Sequence, residues 1–355
     1  MKLGLIGLQN SGKTTIFNAL SNSRAEVTAF SSGKAEPNLA VVDVGDERID
    51  KLSELYSPKK TTYATVELVD FAGMTEGAAK NGSFSAELMA LIKNMDALAL
   101  VVRNFTDSLG DDPEPLEDIE RVNTELILSD LVLVETRLER IEANYAKNKK
   151  TVGLQLEEKI LRRILEQLND NKPIRNLELS EEEEKNIRGF QFLTKKPFLV
   201  ILNSDETRFG KNEKLIAAIQ EQYNTIEFAG NFEMELAQLS PEDAALFMQD
   251  MGIRQSARTR LTGFLYSILG YISFFTVGSD EVRAWSIRKG QTAVEAAGVI
   301  HTDLTRGFIR AECFSYNDLI KYGSEKAVKE KGLFRLEGKD YIVKDGDALS
   351  IRFNV

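Results

Sequence analysis

The residues best suited to chemistry stand near the start of the chain: Gly7-Leu8-Gln9-Asn10-Ser11-Gly12-Lys13-Thr14, a complete G-x-x-x-x-G-K-[ST] string. Its two glycines let the backbone wrap a phosphate with successive N–H groups pointing inward. Lys13 adds a mobile positive charge for the outer phosphates, and Thr14 offers a hydroxyl to Mg²⁺. The bland alternative is a chance match on a glycine-containing turn. Context argues against it, because the apolar run Leu3-Gly4-Leu5-Ile6 precedes the string and the helix-like Thr15-Ile16-Phe17-Asn18-Ala19-Leu20 follows it. Strand, glycine-rich loop and helix N-terminus is the order that phosphate binding needs. The candidate nucleotide-binding residues here are Asn10, Ser11, Gly12, Lys13, Thr14 and Thr15.

Those residues need a scaffold, and apolar runs supply one. Thr65–Val69, Ala97–Val102, Phe198–Leu202 and Thr225–Phe228 read as strands, each within reach of helical segments. Repeated strand–helix alternation predicts an α/β fold, a mostly parallel sheet with helices on both faces. In such sheets ligands bind at the carboxyl ends of the strands. The phosphate loop, Asp70-Phe71-Ala72-Gly73 and Asn203-Ser204-Asp205-Glu206 all follow strands and therefore fall on one rim. Thr14 and Asp70 are the candidate Mg²⁺ ligands; Asn203, Ser204 and Glu206 are the candidate purine-side residues.

Between Val102 and Phe198 the alternation breaks. Ile127, Leu131, Val134, Leu138, Ile141 and Tyr145 step by 4, 3, 4, 3, 4, a heptad seam. Lys147-Asn148-Lys149-Lys150 interrupts it, and Leu154, Leu161, Leu165 and Leu168 form a second stripe. Two seams around a polar tip predict an antiparallel helical coiled-coil hairpin; two amphipathic helices lying flat on the sheet are the alternative. Ser180 ahead of Glu181-Glu182-Glu183-Glu184 reads as the N-cap of another helix. From about Phe274 short strands (Ser273–Val277, Val282–Ile287, Gly307–Ala311, Tyr341–Val343, Ala348–Phe353) surround one helical run, Ala293–Val299, which predicts a small α+β domain. Leu246–Ile272 has helical periodicity and no flexible-linker composition.

The bulk composition narrows the functional class. A chain of 355 residues, 43% hydrophobic and 28% charged, is globular and long enough for two or three domains. A single cysteine, Cys313, excludes an intramolecular disulfide framework and fits a reducing compartment. The chain opens straight into an apolar strand without a basic leader, and no apolar run reaches the roughly 18 residues of a membrane span. A cytoplasmic location, with neither membrane nor DNA as partner, is expected. Net charge is −10, which argues against wholesale coating of nucleic acid. Residues 276–355 are nevertheless balanced, with 13 Lys/Arg against 12 Asp/Glu, so a local basic face remains open there.

Longer stretches carry a family likeness. Val282-Arg283-Ala284-Trp285, Ala296-Ala297-Gly298-Val299-Ile300-His301-Thr302-Asp303, Gly307-Phe308-Ile309-Arg310-Ala311-Glu312 and Glu337-Gly338-Lys339-Asp340-Tyr341-Ile342-Val343 look like a TGS domain, a ubiquitin-like β-grasp. With Val66-Glu67-Leu68-Val69-Asp70, Val101-Val102-Arg103-Asn104-Phe105 and Asn123-Thr124-Glu125-Leu126, nearly the whole chain resembles the Obg-like ATPase (YchF) family of P-loop proteins. The resemblance implies a nucleotide-binding domain over 1–120 and 196–272, an inserted helical hairpin over 121–195 and a TGS domain over 273–355. It also implies Mg²⁺-dependent binding of ATP in preference to GTP, and association with the ribosome, its RNA or its proteins. Most relatives of the fold use Asn-Lys-x-Asp, whose Asp accepts two hydrogen bonds from guanine. Here Glu206 stands in that position, one methylene longer, which weakens a reading built on paired hydrogen bonds. In the family's arrangement Asn203 and the backbone at Ser204 would face the purine; Asp205, one position earlier, is a rival reader of guanine.

Departures from the family bear on turnover. Alignment on Pro37-Asn38 sets Lys34 where a Thr usually ligates Mg²⁺, and an ammonium has no lone pair for a metal. Lys80-Asn81-Gly82-Ser83-Phe84-Ser85 has lost most of a glycine-rich second switch. Ala229-Gly230-Asn231 replaces a Ser-Ala-Lys turn, and Asp107-Ser108-Leu109-Gly110 stands where the family has a His. Met74 is a hydrophobe where Ras-like proteins carry a water-positioning Gln, so no general base is evident. Asn10 either helps hold a monovalent cation, K⁺, beside the phosphates or simply shapes the loop. His301 reads as structural. Phosphoryl transfer is mostly positioning and electrostatics, so loss of a base slows turnover without abolishing it. Two functions are consistent with these residues: a slow ATPase that switches conformation on the ribosome, and a catalytically weak nucleotide-binding scaffold using the same hairpin and TGS surfaces.

Overall fold

A computed structural model describes residues 1–21, 37–71, 86–106, 110–250 and 255–354. The chain divides into two compact units: Met1–Ala40 with Glu67–Gly252, and Val41–Val66 with Ile253–Val355. Lys34, Met74, the Lys80–Ser85 segment and Asp107–Leu109 fall outside the described residues.

The strands β1 (Lys2–Ile6), β2 (Asn38–Asp43), β4 (Thr65–Asp70), β5 (Ala97–Asn104), β6 (Phe198–Ser204) and β7 (Asn224–Phe228) make one sheet in the order β2-β4-β1-β5-β6-β7. β3 (Lys60–Thr62) lies elsewhere. β4, β1, β5, β6 and β7 pair in parallel, as the strand–helix alternation requires. All of β6 is buried, and so is β5 apart from Arg103; both are continuous apolar runs because helices cover both sheet faces. Chain order reverses about β1, with β4 on one side and β5 on the other. The crevice beyond the carboxyl end of β1 is therefore the expected ligand position. Helices α1 (Lys13–Ser21) and α8 (Gly230–Leu236) pack against each other beside it. On the opposite face Leu98, Leu100, Val102, Val200 and Leu202 meet Ile119, Val122 and Leu126 of α4 (Pro115–Ala146).

α4 and α5 (Val152–Asn169) are antiparallel, since Arg137 reaches Glu157 at 2.6 Å and Arg162 reaches Glu142 at 3.4 Å. Ile127, Val134, Leu138 and Ile141 bury against Ile160, Leu161, Ile164 and Leu168, so the two stripes close on each other. The turn is short: Asn148 takes a left-handed φ of 57°, and Thr151 caps α5 through Leu154 N. α6 (Glu181–Ile187) starts with a full capping box, Ser180 with Glu183. At the root of the hairpin Asp130, 1% exposed, accepts hydrogen bonds from Leu193 N (3.0 Å), Thr194 N (2.8 Å) and the Thr194 hydroxyl (2.7 Å). Burial drives its carboxyl above the usual range and those three donors pull it back.

The second unit holds a mixed sheet in the order β11-β10-β12-β8-β9-β3, from β8 (Tyr271–Thr276), β9 (Glu281–Arg288), β10 (Phe308–Ser315), β11 (Arg335–Glu337) and β12 (Asp347–Phe353). β12 runs parallel to β8 while β8–β9 and β10–β12 are antiparallel, and α11 (Ala293–Ile300) packs Ala293, Ala296 and Ala297 against Phe274, Ala311 and Leu349. These strands are consistent with a TGS-like domain. The sequence pattern departs from the structure in three places. Tyr341–Val343 makes only a single bridge, Ile342 to Thr292, because Tyr341 is drawn inward to Asp347 at 2.7 Å. Three further helices, α12 (Thr302–Arg306), α13 (Tyr316–Tyr322) and α14 (Glu325–Glu330), are too short to show a hydrophobic period.

The third departure concerns unit boundaries. Residues 41–66 belong to the second unit, as do 253–272, whereas the sequence assigned both to the nucleotide-binding domain. β3 adds to the edge of β9 in parallel, Thr61 opposite Val282, and Thr62 donates to Glu281 at 2.6 Å. α2 (Glu47–Tyr56) covers β9, while α10 (Ala257–Leu269) covers β8. Arg48 pairs with Asp345 at 2.8 Å and stacks on Phe275. A three-residue polar strand has no sequence signal of its own; its partner supplies the reason for it.

Candidate nucleotide site

The phosphate loop is built by exclusion of side chains. At Gly7 a Cβ would sit 2.5 Å from Val101 O, and at Gly12, where φ is 84°, it would sit 2.1 Å from Asn203 Nδ2. Glycine is therefore required at both ends of the turn. Asn10 is exposed with a left-handed φ of 60°, a conformation Asn tolerates better than most residues. That geometry accounts for an Asn here without any cation. α1 begins at Lys13, so its unpaired N–H groups open onto the loop. Thr15 lies two residues into the helix and is buried.

Lys13 Nζ donates to Gly7 O at 3.1 Å and Leu8 O at 2.7 Å. Burial pulls its ammonium down to about 8, against the opposing pull of Asp70. Such a cation is held at a cost that an anionic ligand would offset. Thr14 Oγ1 donates to Asp70 Oδ2 at 2.9 Å, and Asn38 Nδ2 donates to the same oxygen at 3.2 Å. Burial raises the Asp70 carboxyl, with Thr14, Asn38 and Lys13 working the other way. Asp70 Oδ1 and Ser11 Oγ are buried with no hydrogen-bond partner among the described residues. The Thr14 hydroxyl and the Asp70 carboxylate, with one carboxylate oxygen buried and unsatisfied, are hard-oxygen donors, and that pair fits Mg²⁺. Asn38 is a site residue that sequence reasoning placed only as an alignment anchor.

On the purine side, Asn203 spends its side chain on backbone. Nδ2 donates to Ser11 O at 3.0 Å and Oδ1 accepts from Gly230 N at 3.1 Å, tying the phosphate loop to the start of α8. The Ser204 hydroxyl is also turned into the sheet, accepting from Asn104 Nδ2 at 2.9 Å, so the peptide is what it leaves for a ligand. Asp205 folds into its own turn, accepting from Thr207 N and Arg208 N, each at 2.9 Å. Burial works against its ionisation, but hydrogen bonds from Thr207 and Arg208 hold its carboxyl below the usual range. Glu206 is exposed in the same turn. Of the two acids that could read the base, Asp205 has Oδ1 committed to its own turn, while Glu206 is the more exposed.

His301 belongs to the second unit, where its Nδ1 accepts from Asp303 N at 3.2 Å and caps α12. Cys313 is fully buried beside Arg335 Nη2 at 3.1 Å; burial and Asp347 push its thiol up to about 12, which keeps it an inert core residue. Among the described residues there is no cluster of three or more His, Cys, Asp or Glu arranged for a metal, and no helix long and apolar enough to cross a membrane.

A parallel sheet reversing about β1, a glycine-bounded loop opening α1, and the Lys13–Thr14–Asp70 group define the class: a P-loop protein of the GTPase fold. A family model described as "50S ribosome-binding GTPase" matches residues 2–137, and the YchF GTPase C-terminal model, described as "Protein of unknown function (DUF933)", matches 271–354. The chain is 39% identical over 363 residues to "Ribosome-binding ATPase YchF" of Bacillus subtilis, covering 99% of each. It is 39% identical to the Haemophilus ducreyi protein of the same name, covering 100% of this chain and 99% of that one. The solved Schizosaccharomyces pombe YchF GTPase structure superposes with a TM-score of 0.85 at 30% identity, covering 99% of this chain and 97% of that one. The chain belongs to the YchF family.

Proposed function

We propose that this chain is a Mg²⁺-dependent nucleotide hydrolase of the cytoplasm, a slow ATPase that accepts ATP at least as well as GTP and acts as a conformational switch on the ribosome. The observation that carries the reading is the Lys13–Thr14–Asp70 group with its unsatisfied carboxylate oxygen. Lys13 and the N–H groups of residues 10–15 bind and orient the phosphates, while Thr14 and Asp70 hold the metal. When bound, Mg²⁺ supplies charge neutralisation at the phosphate oxygens. The sequence offers no residue suited to serve as a general base, so positioning and electrostatics carry the reaction and turnover is slow. Engagement of Asp205 in its own turn supports a purine site read by Glu206, Asn203 and the Ser204 peptide.

The relatives' printed name, ribosome-binding ATPase, supports the ribosome as partner. In this reading the nucleotide-binding domain controls contacts made by the helical hairpin and the TGS domain. Phosphate release from ATP and GTP, with Mg²⁺ and K⁺ varied and Lys13→Ala as control, tests the hydrolase; co-sedimentation with ribosomes with and without ATP tests the partner. The K⁺ arm tests Asn10. Mg²⁺-dependent release above the Lys13→Ala background is expected. Its absence would leave only the nucleotide-binding scaffold.

A further inference from the structure

β7 ends Thr225-Ile226-Glu227-Phe228, which sets a carboxylate opposite Leu202, near the carboxyl end of β6. Glu227 Oε1 accepts from Ser204 Oγ and from Asn212 Nδ2, each at 2.5 Å, and Oε2 accepts from Gly210 N at 3.2 Å. Ser204 is the last residue of β6 and Asn212 the residue before α7 (Glu213–Gln220). Gly210 sits between them at a φ of 73°, the left-handed region. One carboxylate thus holds the beginning, the middle and the end of the loop that carries Asp205 and Glu206. Further bonds tighten the same ring: Asn104 Nδ2 to Ser204 Oγ at 2.9 Å, and Asn212 Nδ2 to Arg208 O at 2.7 Å. Inside that loop Asp205 fixes only the turn to Arg208.

We propose that Glu227 is a positioning residue for purine recognition, one that sets the Ser204 peptide and Glu206 against the base while touching no nucleotide itself. The inference rests on the purine site proposed above. Its physical basis is that discrimination by hydrogen bonding needs the reading groups held to within a few tenths of an ångström, whereas phosphate binding depends on the separate loop at residues 7–14. Removing the carboxylate leaves three inward donors without their acceptor and frees the loop. Glu227→Gln retains one acceptor oxygen for Ser204 and Asn212 but turns an amide N–H₂ toward Gly210 N, so it should be intermediate.

The experiment is competition binding on the full chain with ATP, GTP and inorganic tripolyphosphate, for wild type, Glu206→Gln, Glu227→Gln and Glu227→Ala, each checked by thermal unfolding. Glu227→Ala is expected to move the ATP:GTP affinity ratio by about threefold or more while tripolyphosphate affinity stays within about twofold, with Glu227→Gln between. If Glu227→Ala does not fold, Glu227→Gln decides. An unchanged ratio in the Glu227 variants, alongside a changed one in Glu206→Gln, overturns this inference alone. An unchanged ratio in Glu206→Gln overturns the purine-site reading and this inference with it. Equal weakening of all three ligands would make Glu227 a general structural residue and also overturn the inference.

Discussion

At the scale of single residues, the site separates two tasks that share one loop. Lys13 is a charge whose burial is costly and which an anion relieves; Thr14 is a neutral hydroxyl whose value depends on the metal. The two substitutions should therefore fail differently. Lys13→Ala removes charge-assisted bonds of about 1.5–3 kcal/mol, so ATP affinity should fall by roughly 10- to 100-fold whether or not Mg²⁺ is present. Thr14→Ala should weaken binding only in Mg²⁺ and match wild type in EDTA. Calorimetric titration of both variants under both conditions checks this. Unchanged affinity in both would show that the loop is not a nucleotide site.

At the scale of elements, the α4–α5 hairpin is rooted by Asp130 as much as by its apolar seam. Three buried donors converge on that one carboxylate. Asp130→Ala would strand all of them and cost about 3 kcal/mol or more, the expected loss for breaking a buried charged network. Asp130→Asn keeps one acceptor and should cost less. Urea unfolding followed by helix signal ranks the three proteins, and equal midpoints would mean that the seam between Val134, Ile141, Ile160 and Ile164 anchors the hairpin unaided.

At the scale of the whole molecule, the C-terminal sheet takes part of its structure from residues far upstream. Phe275, Val282 and Ala284 are buried, and residues 41–66 and 257–269 supply β3, α2 and α10 around β8 and β9. A fragment cut at 273 would uncover that face and lose the edge partner of β9. The isolated 273–355 segment is expected to bind a hydrophobic dye and melt broadly, whereas the full chain gives a cooperative transition for this unit. A sharp, dye-free transition from the fragment would show that residues 41–66 are passengers on a self-sufficient domain.

Much of the site was legible because its signals are local. The spacing of Gly7, Gly12, Lys13 and Thr14 reflects backbone sterics and charge within eight residues, and the parallel strands announce themselves as buried apolar runs. The heptad steps of α4 and the Ser180 capping box are likewise properties of short segments. What tertiary structure decided is which polar groups meet. Asn203 with Ser11 and Gly230, Asn38 with Asp70, Glu227 with Gly210 and Ser204, and Lys60–Thr62 with Glu281–Arg283 are pairings across loops or across the chain. No periodicity marks such residues, because a hydrogen bond is specified by the position of its partner, and that position exists only once the sheet has formed.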